Sequence, residues 1–325
     1  MNVLHIGNTA AIPKTLRDGL REDGIPSDIM TFYPDVLEQG TDFPHPYPTW
    51  VRVNPPLFAA LRMYHLLKTV THYDILHFHT FGGITFYADY PLWRALGKRI
   101  VLHYHGTELR RFGRELPCAK FAHKRYVSTP DLLNFAPVVT WLPSPMPLQD
   151  FSVVGVEPKD PGEPIIIVNA VASEQHGMAH KGLAIVRKAV HNVQASGYPI
   201  EFRNLVGTPY SEALTHYQQA DIIIGQTHIG WYGKFEAECM AFGKPVITYI
   251  DPTVIDLVPS LDSVPVAPIH RDDVASLETQ IIALIQDPAM RHDLGYAGRR
   301  YVEEWHDATK VMATLKRDYE TIMHK

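Results

Sequence analysis

Short apolar runs alternate with amphipathic stretches along most of the chain. Runs of consecutive apolar residues, many of them β-branched, are typical of strands that are buried on both faces of a parallel sheet. Helical spacing of apolar residues, as at 183–193, indicates helices between these strands. The alternation predicts an α/β architecture built from βαβ units. The predicted strands lie at 2–6, 28–32, 74–79 and 99–104, and then at 165–168, 200–206, 221–224 and 246–250.

Two proline-rich interruptions separate these two sets of strands. They lie at 142–147 and 157–164, and few secondary-structure elements continue through so many prolines. We therefore predict a domain at 1–148, a second domain at 149–305, and a closing amphipathic helix or pair of helices within 299–325. Another proline-rich segment, at 35–56, is either an ordered loop near a ligand entrance or an ordinary surface loop.

Composition and charge limit the class of protein. The chain has 325 residues, enough for two cores, with 46% hydrophobic and 20% charged residues, as in soluble globular proteins. A net charge of −5 gives no overall basic character for binding nucleic acid. Two distant cysteines, Cys118 and Cys239, favour a reducing compartment. No apolar run suits a secretion signal or a membrane span. We expect a cytoplasmic protein, compatible with peripheral membrane contact.

The segment 221–250 carries the clearest functional pattern. Its first strand is followed by a loop at 225–234, and ligands of open α/β sheets bind outside the carboxyl ends of strands. The helix after the loop offers its N-terminus to an anion, and Gly243 with Pro245 ends that helix. Glu238 on this helix has two interpretations: a carboxylate that accepts hydrogen bonds from a ribose diol, or a solvated surface glutamate, which is more usual.

Residues 238–246, Glu-Cys-Met-Ala-Phe-Gly-Lys-Pro-Val, resemble the Glu-Ala-Met-Ala-x-Gly-x-Pro-Val segment of GT4-type retaining glycosyltransferases. The resemblance implies the GT-B fold, in which two Rossmann-like domains have parallel sheets facing each other across a cleft. The amino-terminal domain would bind the acceptor, the carboxy-terminal domain the nucleotide-sugar donor, and residues 306–325 would cross back to the first domain. Glu238 would then bind the donor ribose.

The chain departs from the family pattern eight residues before this glutamate. The family has another glutamate there, facing the transferred sugar, and this chain has Gly230. Glu236 is not a simple replacement, since it points elsewhere on a helix than Glu238. The departure marks either a subgroup or a protein of reduced activity. By the resemblance, Gly230 and Gly233 belong to the donor-binding loop.

Lys181 is the second candidate for donor binding. It lies at the start of helix 183–193, where its ammonium and the unsatisfied N–H groups of the helix suit a diphosphate. His180-Lys181-Gly182 resembles the family's Lys-Gly, whose lysine binds the donor phosphates. The family's preceding arginine is missing, and His176 and His180 are candidates for this phosphate contact.

Two His-x-His pairs end predicted strands, at 77–79 and 103–105. Alternate residues share one face of a strand, and such pairs also hold zinc in metal hydrolases, which leaves that class as an outside alternative. The resemblance instead implies that His105, in a His-Gly turn, is the active-site histidine beside the donor sugar, and that His79 lies on the acceptor side. His77 and His103 are expected to be satisfied core histidines.

Gly7 and Asn8 form a small-residue turn after the first strand, which lets the backbone approach a ligand. In the family this turn lies near the acceptor and the donor phosphate. The sequence has no Asp-x-Asp pair to hold a divalent ion, so Lys181 and helix N-termini must stabilise the leaving group. The combined hypothesis is a retaining, metal-independent glycosyltransferase without a cofactor. Its partners are a nucleoside-diphosphate sugar and a glycan, lipid or small-molecule acceptor. A donor-binding protein with little activity and a nucleotide-sugar epimerase remain alternatives.

Overall fold

The computed structural model describes residues 1–33, 40–79, 87–136, 138–156, 159–160, 162–258 and 261–324. Residues 34–39 of the first proline-rich segment, and 157, 158 and 161 of the last, lie outside this part. In chain order the described strands are β1 Val3–Ile6, β2 Ser27–Thr31, β3 Phe43–Pro44, β4 Ile75–His79, β5 Arg99–Tyr104, β6 Lys124–Val127, β7 Thr140–Trp141, β8 Ile165–Val171, β9 Ile200–Val206, β10 Ile222–Ile224, β11 Val246–Thr248 and β12 Ala267–Pro268.

The helices follow the same order. They are α1 Ile12–Glu22, α2 Thr49–Arg52, α3 Pro55–Thr69, α4 Tyr90–Ala95, α5 Thr107–Phe112, α6 Glu174–His176, α7 Leu183–Ala195, α8 Tyr210–Gln219, α9 Lys234–Ala241, α10 Pro252–Ile255, α11 Val274–Gln286, α12 Pro288–Trp305 and α13 Ala308–Met323. Short 3-10 turns lie at Val70–His72, Pro117–Phe121, Pro130–Asn134 and Leu148–Asp150, and a π turn lies at Gly177–Lys181. No helix in the described ranges is long and apolar enough to cross a membrane.

The chain forms two compact units. The first comprises Met1–Met146 and Ala308–Lys325, and the second comprises Pro147–Asp307. The prolines at 143, 145 and 147 fall where the chain passes from one unit to the other. The second passage falls between α12 and α13, so that α13 is part of the first unit.

The first unit contains a parallel sheet with the strand order β3-β2-β1-β4-β5-β6-β7. The chain starts at β1 inside the sheet, builds β2 and β3 towards one edge, and then crosses to β4 on the other side. One face of the sheet packs Val3, Ile75 and Val101 against α1 and α13, which contribute Leu16 and Leu315 among others. The opposite face packs against α3 and α4. The change of direction between β1 and β4 is the point where α/β sheets usually bind ligands.

The second unit repeats this plan with the strand order β12-β11-β10-β8-β9. The chain enters at β8, places β9 on one side, and crosses to β10 on the other. Ile167, Ile222 and Ile247 form the centre of the core, covered by α7 and α11. The change of direction between β8 and β10 is therefore the ligand-binding edge expected for this unit.

The apolar runs located most central strands to within a residue or two, and β9 matches its prediction. The predicted end of α9 is confirmed, because Gly243 follows the helix with φ 79°, as a C′ glycine does. The start of α12 was predicted wrongly, because the helix begins at Pro288 and not at 299. Asp287 caps it by accepting a 2.9 Å hydrogen bond from Met290 N, a pattern of cap and first-turn proline that the sequence does display.

Candidate functional site

The loops that follow β8 and β10 are joined at the carboxyl edge of the second sheet, which we call the β8–β10 edge (residues 172–182 and 225–233). The carbonyl of Lys181 accepts a 3.1 Å hydrogen bond from Thr227 N. Gly182 has φ 69°, and a Cβ at this residue would collide with the hydroxyl of Thr227. Glycine is therefore required here twice over. Its close packing fixes Lys181 beside the loop after β10.

Gln226 holds the loop after β10 in shape. Its buried side chain donates from Nε2 to the carbonyls of Trp231 at 2.8 Å and Tyr249 at 3.1 Å. Its Oε1 accepts a hydrogen bond from His228 N at 2.9 Å. One side chain thus satisfies backbone groups from both sides of the loop and stabilises its conformation.

Glu236 also holds this loop in shape, by hydrogen bonds to backbone N–H groups at its two ends. It is 1% exposed, and its Oε1 and Oε2 accept hydrogen bonds from Gln226 N at 3.1 Å and Gly233 N at 2.9 Å. Gly233 is the N-cap of α9, and Glu236 is the N3 residue that closes the capping box. Both carboxylate oxygens of Glu236 are therefore engaged in the backbone, and they point away from Glu238 as the helical spacing predicted.

Glu238 is buried, with an exposed fraction of 3%, so the surface interpretation was wrong. Its Oε1 accepts a 2.8 Å hydrogen bond from the hydroxyl of Tyr210 and lies 3.5 Å from Lys234 Nζ. Burial raises the pKa of Glu238, while Lys234 and Tyr210 act in the opposite direction. Residues of two helices, α8 and α9, therefore hold this carboxylate in place, whereas the side chain of a solvated glutamate would be free to move.

The ammonium of Lys181 lies over the N-terminus of α9. A Cβ built on Gly233 would be 3.4 Å from Lys181 Nζ. The sequence placed this lysine at the start of α7, and the structure adds that its side chain reaches the first turn of the other helix. A side-chain cation and the positive end of a helix dipole thus converge at one point, which favours an anion there.

His176 and His180 lie in the loop after β8, in α6 and the π turn, with ring centroids 5.2 Å apart. His176 is half-buried and His180 is exposed. Burial lowers the pKa of His176, and the charge of Lys181 acts in the same direction. His176 is therefore neutral at neutral pH, where it can hydrogen-bond a phosphate but does not supply the charge of the missing arginine.

The local structure explains why position 230 is a glycine. A Cβ on Gly230 would lie 2.6 Å from the Cβ of Asp251, and Asp251 N donates a 3.0 Å hydrogen bond to the carbonyl of Gly230. The side chain of Asp251 occupies the space that a longer residue at 230 would need.

In the first unit, Gly7, Asn8 and His79 meet between β1 and β4. Gly7 has φ 94°, and a Cβ there would lie 2.9 Å from the carbonyl oxygen of His79. Asn8 donates from Nδ2 to the carbonyl of Gly40 at 2.6 Å. Its buried Oδ1 has no hydrogen-bond partner among the described residues. These three predicted residues therefore lie together at the ligand-binding edge of this sheet.

Five histidines share one face of the first sheet and form what we call the histidine cluster: His5, His77, His79, His103 and His105. His5 is paired with His77 across β1 and β4, and His79 with His103 across β4 and β5. His5 Nδ1 lies 3.0 Å from His79 Nε2, and His79 Nδ1 lies 3.0 Å from His105 Nε2. His5, His79 and His105 thus form a continuous hydrogen-bonded chain of three rings.

Ser128 extends this chain to His103, and Tyr319 separately bonds His77. Ser128 Oγ lies 2.6 Å from His105 Nδ1 and 3.1 Å from His103 Nε2. The hydroxyl of Tyr319, on α13, lies 2.6 Å from His77 Nδ1. The prediction that His77 and His103 are satisfied core histidines is half correct, because both are fully buried and each keeps one ring nitrogen without a partner in the described residues.

Burial keeps the cluster neutral. It lowers the pKa of His5 and of His105 to about 3 each. It also lowers the pKa of His77, His79 and His103 well below the ordinary value of 6.5, and the neighbouring imidazoles act in the same direction. His105 is thus a neutral ring at physiological pH, with both of its nitrogens already bonded within this unit.

Three residues that form contacts in these two regions, His5, Ser128 and Tyr210, are not predicted as site residues from the sequence. His5 lies inside an apolar run and Ser128 at the end of β6, a strand that starts with Lys124 and Arg125 and carries no strong apolar signal. Tyr210 begins α8, directly after Pro209. The sequence feature that could have identified His5 as a site residue is its position, two residues before Gly7 and on the same face of its strand.

No family model and no curated protein sequence matches the chain. Solved structures do match it over its full length. Sucrose-phosphate synthase from Thermosynechococcus elongatus is 14% identical, with a TM-score of 0.68 and 100% of both chains covered. The catalytic domain of starch synthase IV from Arabidopsis thaliana, bound to ADP and acarbose, is 11% identical, with a TM-score of 0.66 and 99% of both chains covered. Anabaena HepE in complex with UDP-glucose is 12% identical, with a TM-score of 0.62 and 100% of both chains covered. At these identities the similarity establishes the fold, which is the GT-B fold of these glycosyltransferases.

Proposed function

We propose that the protein is a retaining glycosyltransferase of the GT4 type that acts in the cytoplasm. In this proposal it moves a sugar from a nucleoside-diphosphate sugar to a glycan, lipid or small-molecule acceptor, and the transfer step needs no metal ion and no cofactor. One observation carries the proposal: Lys181, from the β8–β10 edge, reaches the N-terminus of α9, and the same helix carries the buried carboxylate of Glu238. The solved structures of similar fold that contain UDP-glucose or ADP support it.

Each group at this edge suits one part of the donor. The carboxylate of Glu238, held by Tyr210 and Lys234, accepts hydrogen bonds from the two hydroxyls of a ribose. Lys181 and the first N–H groups of α9 bind the diphosphate, and they stabilise the negative charge that grows on it as the sugar leaves. The protein thereby supplies, from its own groups, the charge that a divalent ion supplies elsewhere.

The proposal places His105 beside the donor sugar. Its ring is fixed between Ser128 and His79, at 2.6 Å and 3.0 Å. A hydrogen bond from His105 to a sugar hydroxyl therefore replaces one of these two bonds. We propose Gly7, Asn8 and His79 for the acceptor side, where the buried Oδ1 of Asn8 offers an acceptor without a partner in the described residues.

A donor-binding protein with little transferase activity is the second candidate. It is favoured by Gly230, since the family's sugar-facing glutamate is absent and Asp251 fills the space beside that position. The two candidates share the donor site and differ in turnover. A nucleotide-sugar epimerase would share it as well, and would convert the donor with no acceptor present.

The test is a thermal-shift titration with UDP-, GDP-, ADP- and dTDP-sugars, with and without EDTA, because a ligand of the native state raises its melting temperature. We expect one nucleotide class to give a shift, and the same shift in EDTA. Lys181→Met and Glu238→Gln each remove a charge-assisted contact worth about 1.5–3 kcal/mol, which weakens donor binding roughly 10- to 150-fold. Lys188→Met, an exposed lysine on α7, is the matched control and should bind as the unaltered protein does.

A lack of shift with every nucleotide, or equal shifts in both site variants, would refute the donor site. The class of reaction follows from NMR of a mixture containing the stabilising donor and candidate acceptors. A product with the donor's anomeric configuration supports retaining transfer, a new sugar nucleotide without acceptor supports the epimerase, and an unchanged donor supports the binding protein.

A further inference from the structure

The histidine cluster has ring nitrogens that its hydrogen bonds do not use. His5 Nε2, His77 Nε2 and His103 Nδ1 have no hydrogen-bond partner in the described residues, and all three rings are fully buried. A buried polar atom left without a partner costs about 1–3 kcal/mol. Such atoms are rare in folded proteins, and three of them in one cluster are groups that a ligand could bind.

The direction of the hydrogen bonds determines whether each unused nitrogen carries a proton or a lone pair. A neutral imidazole has one N–H and one lone pair, and Ser128 has one hydroxyl proton to share between two rings. When Ser128 donates to His103 Nε2, His105 must donate to Ser128 from Nδ1. His79 Nδ1–H then donates to His105, and His5 Nδ1–H donates to His79. This direction of the chain leaves a lone pair on His5 Nε2.

The same orientation is available to His77. Its Nδ1–H donates to the hydroxyl of Tyr319 at 2.6 Å, which leaves a lone pair on Nε2. Both unused Nε2 atoms then belong to rings whose opposite N–H is held by a partner. Metal-bound histidines show this arrangement, because the second hydrogen bond fixes the tautomer and the orientation of the ring.

The distances suit a common ligand for three of the rings. One ring nitrogen from each of His5, His77 and His79 lies within 4.8 Å of the other two. The ring centroids are 5.0 Å apart for His5 and His77, 5.3 Å for His5 and His79, and 4.3 Å for His77 and His79. Zinc–nitrogen bonds of about 2.0–2.1 Å in a tetrahedral site place two ligand nitrogens roughly 3.3 Å apart. Binding of one ion therefore requires ring rotations that bring the three nitrogens from within 4.8 Å of one another to that spacing.

We propose that His5, His77 and His79 bind one transition-metal ion of the Zn²⁺ class. Imidazole ligands suit Zn²⁺, Cu²⁺ and Ni²⁺ and do not suit Mg²⁺ or Ca²⁺. His79 provides the third bond by exchanging one of its two imidazole hydrogen bonds for the ion. The ion gives a partner to two of the three unpartnered nitrogens, His5 Nε2 and His77 Nε2, in exchange for a hydrogen bond between His79 and a neighbouring histidine, and it joins β1 to β4.

A second set of three histidines competes for the same ring. His79, His103 and His105 also have ligand atoms within 4.8 Å of one another. Only one nitrogen of this set, His103 Nδ1, is unused, since both nitrogens of His105 are bonded. Because His79 cannot serve both sets, the set with two unused nitrogens is the better site.

The proposed ion stabilises the first unit and takes no part in donor binding by Lys181 and Glu238, which belong to the second unit. Of the residues proposed for the acceptor side it involves only His79, so the metal test succeeds or fails independently of donor binding. Since the three ligand rings are fully buried, we expect the ion to enter as the unit folds and to leave slowly afterwards.

The full chain is produced in Zn²⁺-supplemented medium without an oligohistidine tag, and its metal content is measured by inductively coupled plasma mass spectrometry. We expect about one Zn²⁺ per chain. His5→Gln and His77→Gln should reduce this content at least fivefold. The double variant His176→Gln/His180→Gln is the matched control, because it removes a histidine pair on the surface, and it should keep the metal.

A metal-free protein from this medium would overturn the proposal. So would zinc that persists in His5→Gln and His77→Gln and disappears in the surface variant. Circular dichroism checks that the variants fold. Where they do not, X-ray absorption spectroscopy of the unaltered zinc protein decides: three imidazole nitrogens around the metal support the site, and fewer than three overturn it.

Discussion

Replacing Glu236 tests its structural role in α9 apart from the donor-binding role that we propose for Glu238, two residues later. In Glu236→Ala the backbone N–H groups of Gln226 and Gly233 lose their acceptors, at 3.1 Å and 2.9 Å. The carboxylate is 1% exposed, so water does not readily take its place. We expect the loop 225–233 to lose its fixed conformation and the second unit to lose stability.

The magnitude follows from the two hydrogen bonds. A hydrogen bond to a charged group contributes about 1.5–3 kcal/mol, so losing both costs roughly 3–6 kcal/mol in the free energy of unfolding. Glu236→Gln keeps one acceptor oxygen and turns an amide N–H towards the other backbone N–H. We expect it to cost about half as much, because a glutamine at N3 can still accept a hydrogen bond from Gly233 N.

Urea unfolding combined with amide hydrogen exchange measures this change. Exchange of peptides covering 222–241 reports on the second unit, and peptides of β4 and β5 in the same sample serve as an internal reference. Glu201→Ala is the control, because Glu201 forms an exposed ion pair with Arg203 and such pairs contribute only about 0–1 kcal/mol. A loss below about 1 kcal/mol in Glu236→Ala, or a loss equal to that of the control, would refute the capping role.

Three further predictions concern single contacts. Gly230→Ala should destabilise the protein by about 1–3 kcal/mol because its Cβ meets Asp251. Asp251→Gly should relieve most of this loss in the double variant, whereas additive losses in urea unfolding would contradict the contact. The metal-free protein should lose stability as the pH falls below about 6.5, because the unfolded state then binds a proton that His5, with its pKa lowered by burial to about 3, does not. At pH 5 the contribution of His5 is about 2 kcal/mol, and His5→Gln should show a correspondingly smaller loss between pH 7 and 5 in EDTA; equal losses would contradict the assignment. Tyr319→Phe should cost about 1–3 kcal/mol by leaving His77 Nδ1 without a partner, and an unchanged urea midpoint would show that this bond contributes nothing.

The sequence predicted the strands with long apolar patterns, including the half-exposed edge strand β9, and missed the short or polar ones. β4 and β8 are continuous apolar runs apart from His77, His79 and Asn169, so their pattern was clear. β6 starts with Lys124 and Arg125, which are half-buried, and β3 and β7 have two residues each, too few for any periodicity. These strands form because neighbouring strands offer unpaired backbone groups, which is a tertiary cause that the local pattern does not contain.

The position of the proposed donor site follows from the sequence pattern, and its internal contacts do not. A strand, a loop and a helix in sequence suffice to place a ligand at the carboxyl edge. The burial of Glu238 depends on Tyr210, which is 28 residues away in sequence, and the space beside Gly230 depends on Asp251. The different tasks of Glu236 and Glu238 likewise follow from which backbone groups the folded loop brings near them.

The histidine cluster depends on register, which ties it to the apolar core beneath it. His-x-His spacing predicts a shared face within one strand, but a slip of one residue between β1 and β4 would turn His5 to the opposite face. The register is fixed one row below, where Val3 pairs with Ile75 and both pack against α1 and α13. That apolar row buries itself only in the observed register, and the same register brings His5 beside His77. The core thus selects the arrangement in which unused nitrogens meet, although those nitrogens themselves oppose burial.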